Sequence, residues 1–448
     1  MLPVIMLIIA LAARVPLKRA VFSAIMLAAG FAGVFIAFDF FVANISPAVQ
    51  QLSRVRGLNF PVLDVGWPPL AAITWASPLA AICIPLVLVL NLLMVATGLT
   101  RTLYIDIWNY WHFALMGALV MTLSGQLWLG LSASLVLAVY CFKATEWTAP
   151  DVLRETGLAG ISASPISVNG LAPYTACVDW LFDRIPLVNR ISYNPEQRSR
   201  HRPDDGQIDL LDLLSEPMVI GLLMGLALAA AAGYDLKQTL EMGVHISAVM
   251  FLLPRSAGLI GEAMMPITTA LRDRITHYFP ARSELIVAID TGFLMHHKSV
   301  VVTGLLLMML AIVVALLLPG NRVLPLGDLP NLISVMSISV LMFRGNVFRA
   351  VLAGLPVIVT FLWVASEMAP LYTTLAQQSA SFNTRDLGLI TAFTDGGHQL
   401  RFLLFSLYRG EPWAFAGVLA LLGASYVLWR RAVASNRANA EQSVRSNA

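Results

Sequence analysis

Charge is scarce in this sequence. Asp, Glu, Lys and Arg make up 12% of its 448 residues, against about 25% in an ordinary soluble domain. That scarcity excludes a water-soluble globular enzyme. The net charge of +3 is too small to attract nucleic acid. Cysteine is nearly absent: Cys83, Cys141 and Cys177 stand far apart. No CxxC or metal-ligand spacing exists, so a zinc site or disulfide framework is excluded. There is no Walker motif, dinucleotide-binding glycine pattern, zinc motif or nucleophile elbow, which leaves ATP hydrolysis without support and calls for no cofactor or metal. The first apolar run, "MLPVIMLIIALAA", has no basic segment before it and does not read as a cleavable signal. Strict alternation of apolar and polar residues is missing too, which argues against a β-barrel.

What is present is apolar sequence. Hydrophobic residues reach 58% and the mean hydropathy is +0.75. Long runs cover residues 20–43, 77–100, 111–124, 126–143, 216–233, 237–253, 299–318, 330–343, 347–366 and 412–430. The chain therefore reads as an all-α, polytopic helical membrane protein. The 111–124 and 330–343 runs fall short of the ~20 residues a bilayer requires and predict broken or re-entrant helices. Basic residues cluster after the first run (Arg14, Lys18, Arg19), in the polar connection (Arg184, Arg190, Arg198, Arg200, Arg202) and after the last run (Arg430, Arg431). Positive residues mark cytoplasmic segments, so these places and the C-terminus are expected inside.

The two sides of the polar connection resemble each other. Leu17 and Lys18 match Leu236 and Lys237, Asp64 matches Asp290, Asp106 matches Asp328, Gly125 matches Gly345, and Pro150 matches Pro370. All five anchors keep one order and nearly one shift, the signature of an internal repeat. The expected organisation is a first transmembrane repeat over 1–180 and a basic cytoplasmic loop over 181–212. A second repeat with the final helix then covers 213–430, and a tail covers 431–448. The first span has fewer residues before Lys18 than the second has before Lys237, so the native helix is expected to begin upstream of Met1.

Ionisable residues at membrane depth are expensive and normally face a cavity or a partner. "LDVGWPP" and "AIDTGF" each place a carboxylate, Asp64 or Asp290, before a glycine, Gly66 or Gly292. Pro68 and Pro69 bar a continuing helix. An unwound turn of this kind lets the carboxylate accept bonds from ligand hydroxyls. It also allows the carboxylate to cap the next helix, and both readings stay open. Trp67 offers a face to a sugar-like CH surface and an indole donor. Asn109 and His112 lie three apart, on one helix face, among interfacial aromatics. His297 of "LMHHKS" is a candidate cavity residue; adjacent histidines point apart on a helix, so a shared metal site is not expected. "AGISASPISVNG", with Ser164 and Ser167, and "TAFTDGGHQ", with Asp395 and His398, read as two polar hairpin tips aimed at a ligand, or else as surface turns.

At "LDVGWP…TWASP", "DIWNYWH", "GYDLK", "IPLVNRI", "LPGNRVLPLGDL" and "RGNVFR" the chain resembles the galactitol-specific IIC components of the bacterial sugar phosphotransferase system, nearly end to end. The resemblance implies an inner-membrane permease built from two repeats with re-entrant hairpins. It implies an elevator-type homodimer surrounded by membrane lipid. A separate IIB protein carrying phosphocysteine, charged by IIA, would phosphorylate the sugar alcohol; no cysteine here matches that phosphocysteine. Positions matching the motifs are Asp64, Gly66, Trp67, Asp106, Asn109, His112, Asp290, His297, Asn321, Asp328, Gly345 and Asn346. The chain departs from the pattern at the tips: "SPISVN" stands where a "PHGTSA" type is usual, "TGFLMHH" lacks the usual proline, and "TDGGHQ" replaces a "DQGG" order. A polyol or sugar related to galactitol is therefore as consistent as galactitol itself. Asp290 is the candidate for orienting the reacting hydroxyl or taking its proton.

Three other functions compete. An ion- or proton-coupled secondary sugar transporter would use the carboxylates as proton relays. A membrane enzyme acting on lipid-linked sugar would need a catalytic constellation open to lipid, and none is evident. A channel would need a ring-forming filter motif, which is absent.

Overall fold

The computed structural model describes residues 7–8, 10–11, 13–55, 60–197, 217–278, 285–379 and 388–446. The first half runs α1 (Leu17–Val55), β1 (Val62–Asp64), α2 (Trp67–Trp75), α3 (Pro78–Thr97), β2 (Thr102–Tyr104), α4 (Trp111–Ser124), α5 (Leu127–Thr156), β3 (Ile161–Ala163), α6 (Ile166–Asn169), α7 (Ala172–Phe182) and α8 (Pro186–Arg190). The second half runs α9 (Pro217–Ala231), α10 (Leu236–Tyr278), β4 (Ile286–Ile289), α11 (Lys298–Leu317), β5 (Val323–Leu324), α12 (Asn331–Met342), α13 (Val347–Ser379), β6 (Leu389–Thr391), α14 (Gln399–Tyr408) and α15 (Pro412–Ser446).

Five helices among the described residues are long and apolar enough to cross a membrane: α3, α5, α11, α13 and the Pro412–Asn436 part of α15. Burial sorts them. In the apolar window of α11, 61% is buried by protein, against 17% in α15. So α11 belongs to the interior, and α15 is the least covered of the five. Every apolar run expected from the sequence overlaps a helix, but several helices outrun their hydropathy. The 237–253 run continues to Tyr278 and the 126–143 run to Thr156. A helix can extend past the hydrocarbon into polar sequence, where hydropathy no longer marks it.

The two short runs are short helices. α4 has 14 residues and α12 has 12, about 21 Å and 18 Å against a hydrocarbon core of about 30 Å. They leave toward opposite ends of α5. At its C-terminus α4 turns through Gly125 directly into α5. At the far end of α5, Arg154 donates to the Leu341 carbonyl at the C-terminus of α12, 2.7 Å away. The C-termini of the two short helices therefore lie at opposite ends of α5.

The six strands among the described residues were not foreseen. They form two three-stranded parallel sheets, ordered β5–β1–β6 and β2–β4–β3. In the first, Val62 pairs with Val323 and Leu389, and Asp64 with Thr391. In the second, Tyr104 pairs with Ala288, and Ala163 with Ile289. Unwound backbone at this depth has no water to bond, so the broken segments satisfy one another. The central strand of each sheet comes from the opposite half of the chain: β1 sits between strands of the second half, and β4 between strands of the first.

The polar connection is not a free excursion as far as residue 197. Val347 donates its N–H to the Tyr193 carbonyl (2.9 Å), and the Asn194 amide donates to the Arg344 carbonyl (2.7 Å). The Lys298 N–H donates to Glu196 at 2.9 Å. Arg198, Arg200 and Arg202 lie outside the described residues.

Candidate functional site

The stretch after β1 must turn sharply before Pro68 and Pro69. Gly66 takes φ 78°, the left-handed region that glycine enters without strain. Asp64 holds the turn: its Oδ1 accepts from the N–H groups of Gly66 (3.1 Å) and Phe393 (2.9 Å), and its Oδ2 from that of Asp328 (2.9 Å). Asp328 in turn accepts from the N–H groups of Trp67 (3.1 Å), Thr394 (2.9 Å) and Asp395 (3.2 Å), and from the Thr394 hydroxyl. Asn331 extends this first centre, donating to the Thr394 hydroxyl at 2.8 Å and to Asp395 at 3.0 Å. Six backbone N–H groups thus saturate two carboxylates. Asp64 reaches no N–H of the first turn of α2, whose Trp67 N–H goes to Asp328, so it ties the two halves of the chain together; of Asp64 and Asp290 it is Asp290 that caps, at the short turn Thr291–Leu294.

The second centre is joined across the chain by side chains. The Asn109 amide donates to Asp106 Oδ2 (2.7 Å), the Ser164 hydroxyl (3.1 Å) and Asp290 Oδ2 (2.9 Å). Ser164 donates to Asp106 Oδ2 at 2.6 Å. Asp290 also accepts from the Gly292 N–H at 3.2 Å, and is half-buried where Asp106, Asn109 and Ser164 are buried. The sequence paired Asp64 with Asp290 and Asp106 with Asp328. In space the bonded pairs are crossed, Asp64 with Asp328 and Asp290 with the Asp106 cluster, because β1 and β4 change sides.

The two polar tips meet. His112 Nδ1 lies 3.4 Å from Asp395 Oδ1 and 3.2 Å from Arg401 Nη2. Arg401 is buried and also donates to the Asp395 carbonyl. His398 caps α14, its Nδ1 accepting from the Arg401 N–H at 3.4 Å. Its Nε2 is buried without a hydrogen-bond partner among the described residues. Ser167, also buried, lies against Asp395 and His398. Trp67 joins from the side: its ring stacks on Trp111 (6.5 Å between centroids), which stacks on His112 (4.0 Å).

The His398 ring rests on Gly170 of the other tip, where an added Cβ would come 2.6 Å from the ring Cε1. Gly170→Ala is therefore expected to wedge the tips apart and destabilise by about 1–3 kcal/mol. Thermal melting in detergent checks it. Adding His398→Ala should restore part of the loss, since the Ile166 carbonyl, 2.7 Å from the added Cβ, stays in place; no rescue would mean the two side chains do not bear on each other.

His297 is placed differently, buried at the N-cap of α11 beside the Glu196 contact. Asn321 builds the turn into β5, its amide donating to the carbonyls of Ala315 (2.9 Å) and Val323 (2.7 Å). Asn346 fastens the polar connection through the Ile191 carbonyl, at 3.0 Å. Three residues of these centres escaped the sequence reading. Asn331 stands at the shift from Asn109 that relates Asp106 to Asp328, so the repeat contained the signal. Thr394 does for Asp328 what Ser164 does for Asp106. Arg401, a lone cation in the apolar "QLRFLLFSLY", was itself a signal.

Comparison with known proteins fits this geometry to a family. Residues 1–386 match the EIIC-GAT family, described as the PTS system sugar-specific permease component. The chain is 30% identical over 406 residues to a "PTS system galactitol-specific EIIC component" of Escherichia coli (strain K12), covering 90% of this chain and 87% of the relative. It is equally similar to the protein of that name from Escherichia coli O157:H7. It is 29% identical over 394 residues to a "Putative permease IIC component" of Escherichia coli (strain K12), covering 88% of each. A multi-pass membrane chain with half-helices around polar centres, matched over most of its length, belongs to the family of sugar-specific permease components of the PTS system.

Proposed function

We propose that this permease takes a sugar alcohol, galactitol or a related polyol, across the bacterial inner membrane. It presents the substrate to a separate IIB phosphocysteine protein, itself charged by IIA. The relatives named galactitol-specific support the substrate class. One observation carries the site: Asn109 and Ser164 join Asp106 and Asp290 through side-chain bonds alone, at the level where the half-helices begin. Side-chain donors can turn toward a ligand without breaking the backbone, so polyol hydroxyls can exchange into this set. Asp64 and Asp328 act as clamps, and Gly66 permits the clamped turn. Trp67, stacked toward His112, offers the CH face of the polyol a partner, and Ser167, Asp395 and His398 complete the polar surroundings, while His297 stands apart at the start of α11.

Group translocation demands positioning more than acid strength. The phosphorus–sulfur bond of IIB breaks as a polyol oxygen bonds to phosphorus. Asp290 orients that hydroxyl and takes its proton. The two halves are two repeats, with boundaries at 180, 212 and 430, whose exchanged strands make the core move as one elevator body. The basic connection and the C-terminus lie in the cytoplasm, by the positive-inside rule. Homodimerisation and the lipid environment rest on the family resemblance.

Vesicles test the reading. With phosphorylated IIB inside, galactitol or a related hexitol should appear only as its phosphate. Accumulation of free polyol in vesicles lacking IIB, driven by an ion gradient, would establish the coupled transporter instead.

A further inference from the structure

The arginine-rich end of the molecule, away from the tips, holds a second feature. A cleft of ≈ 890 Å³ opens there, lined by Arg154, Arg344, Arg430, Arg431, Trp180 and Tyr426, among others. Two of its arginines form the floor. Arg154 pairs with Asp151 (2.7 Å) and Glu155 (2.8 Å). Arg431 pairs with Asp179 (2.6 Å) and Asp151 (3.1 Å), and donates to the Met342 carbonyl. The acids lining the cleft are themselves engaged: Asp179 and Asp183 both pair with Arg349, at 2.9 and 2.8 Å.

Arg344 and Arg430 remain. Both are exposed, and neither has an ion pair among the described residues. Arg344 is held at φ 57°, a left-handed conformation that a non-glycine residue keeps only where its surroundings enforce it. The Asn194 amide fixes its carbonyl at 2.7 Å. The walls are those of a membrane boundary. Trp180 and Tyr426 are 55% and 56% exposed, the aromatic signature of headgroup depth. Of the five candidate spans among the described residues, the one bearing Arg430 is the least covered by protein.

We propose that this cleft binds the phosphate of an anionic phospholipid headgroup, with Arg344 and Arg430 as its ligands. A basic pocket between membrane helices at the cytoplasmic boundary suits that group, and the apolar window of α15, only 17% buried by protein, sets an uncovered apolar face beside the opening, which favours lipid over a soluble partner. The inference takes its cytoplasmic placement from the orientation given under the proposed function.

Full-length protein in detergent, supplied with phosphatidylglycerol or phosphatidylcholine and read by native mass spectrometry, tests it. The parent should retain phosphatidylglycerol preferentially. Arg344→Ala with Arg430→Ala should lower that retention about twenty-five-fold, at about fivefold per arginine. The corresponding double lysine variant should keep most of it, and melting curves establish that each variant is folded. Equal retention of both lipids, or a folded double alanine variant with undiminished retention, overturns the site. Occupancy by inorganic phosphate with no lipid preference would make it a free-phosphate site. Loss of phosphorylated IIB binding in the double alanine variant, with lipid retention intact, would make it a protein docking surface. Labelling of Ser435→Cys by an impermeant maleimide from outside only would overturn the orientation, while the retention data judge the cleft by themselves.

Discussion

Asp64→Ala is expected to abolish the folded core of this permease and not merely its affinity for substrate. The carboxylate accepts three backbone N–H groups, from Gly66, Asp328 and Phe393. Two of those donors belong to the other half of the chain. Removing the acceptor orphans all three at a depth without water, at about 1–3 kcal/mol each. The sum rivals the whole stability of a typical domain, about 5–15 kcal/mol. Asp64→Asn should be milder but still harmful, since its NH2 must face at least one N–H donor. Fluorescence-detected size exclusion and melting in detergent read the result, with little monodisperse Asp64→Ala protein recovered. A variant that melts like the parent and loses only polyol binding would show that Asp64 is a substrate ligand, and the clamp reading would fall.

Asp290→Asn should do the reverse. One oxygen of this half-buried carboxylate meets the Asn109 amide at 2.9 Å and the other meets the Gly292 N–H at 3.2 Å. An asparagine keeps the size of the side chain and one acceptor, so the variant should fold. What it loses is a charged acceptor for a ligand hydroxyl, worth about 1.5–3 kcal/mol, or roughly ten- to a hundredfold in affinity. Galactitol titration calorimetry measures the affinity, and product formation with phosphorylated IIB measures the chemistry. Normal binding together with normal phosphorylation would remove Asp290 from the site. The two variants form a contrast: one carboxylate held by three backbone N–H groups and needed to fold, the other shared between the Asn109 side chain and the Gly292 N–H and needed to bind.

Much of this architecture was legible in order of residues. Hydropathy placed the short helices at 111–124 and 330–343 within a residue or two of α4 and α12. The shift between halves matched Asp106 to Asp328 and, applied again, reaches Asn331. The polar tips were visible because serine, glycine and aspartate interrupt apolar sequence. The strands were not visible. "VLD", "TLY" and "LIT" are too short to show a period. Nor does composition encode that β1 pairs with β5 and β6 across the polar connection. That exchange joins Asp64 to Asp328, 264 residues away, and leaves Asp290 with the Asp106 cluster.

The sequence by itself determined the solvent. Transfer of each side chain into lipid is nearly a local property, so the spans, the two half-helices and the costly acids within them could be read one segment at a time. Only the tertiary structure decided what each acid does. A carboxylate is a clamp or an open acceptor according to which N–H groups reach it, and those groups arrive from strands of the opposite half, through pairings that no stretch of sequence contains.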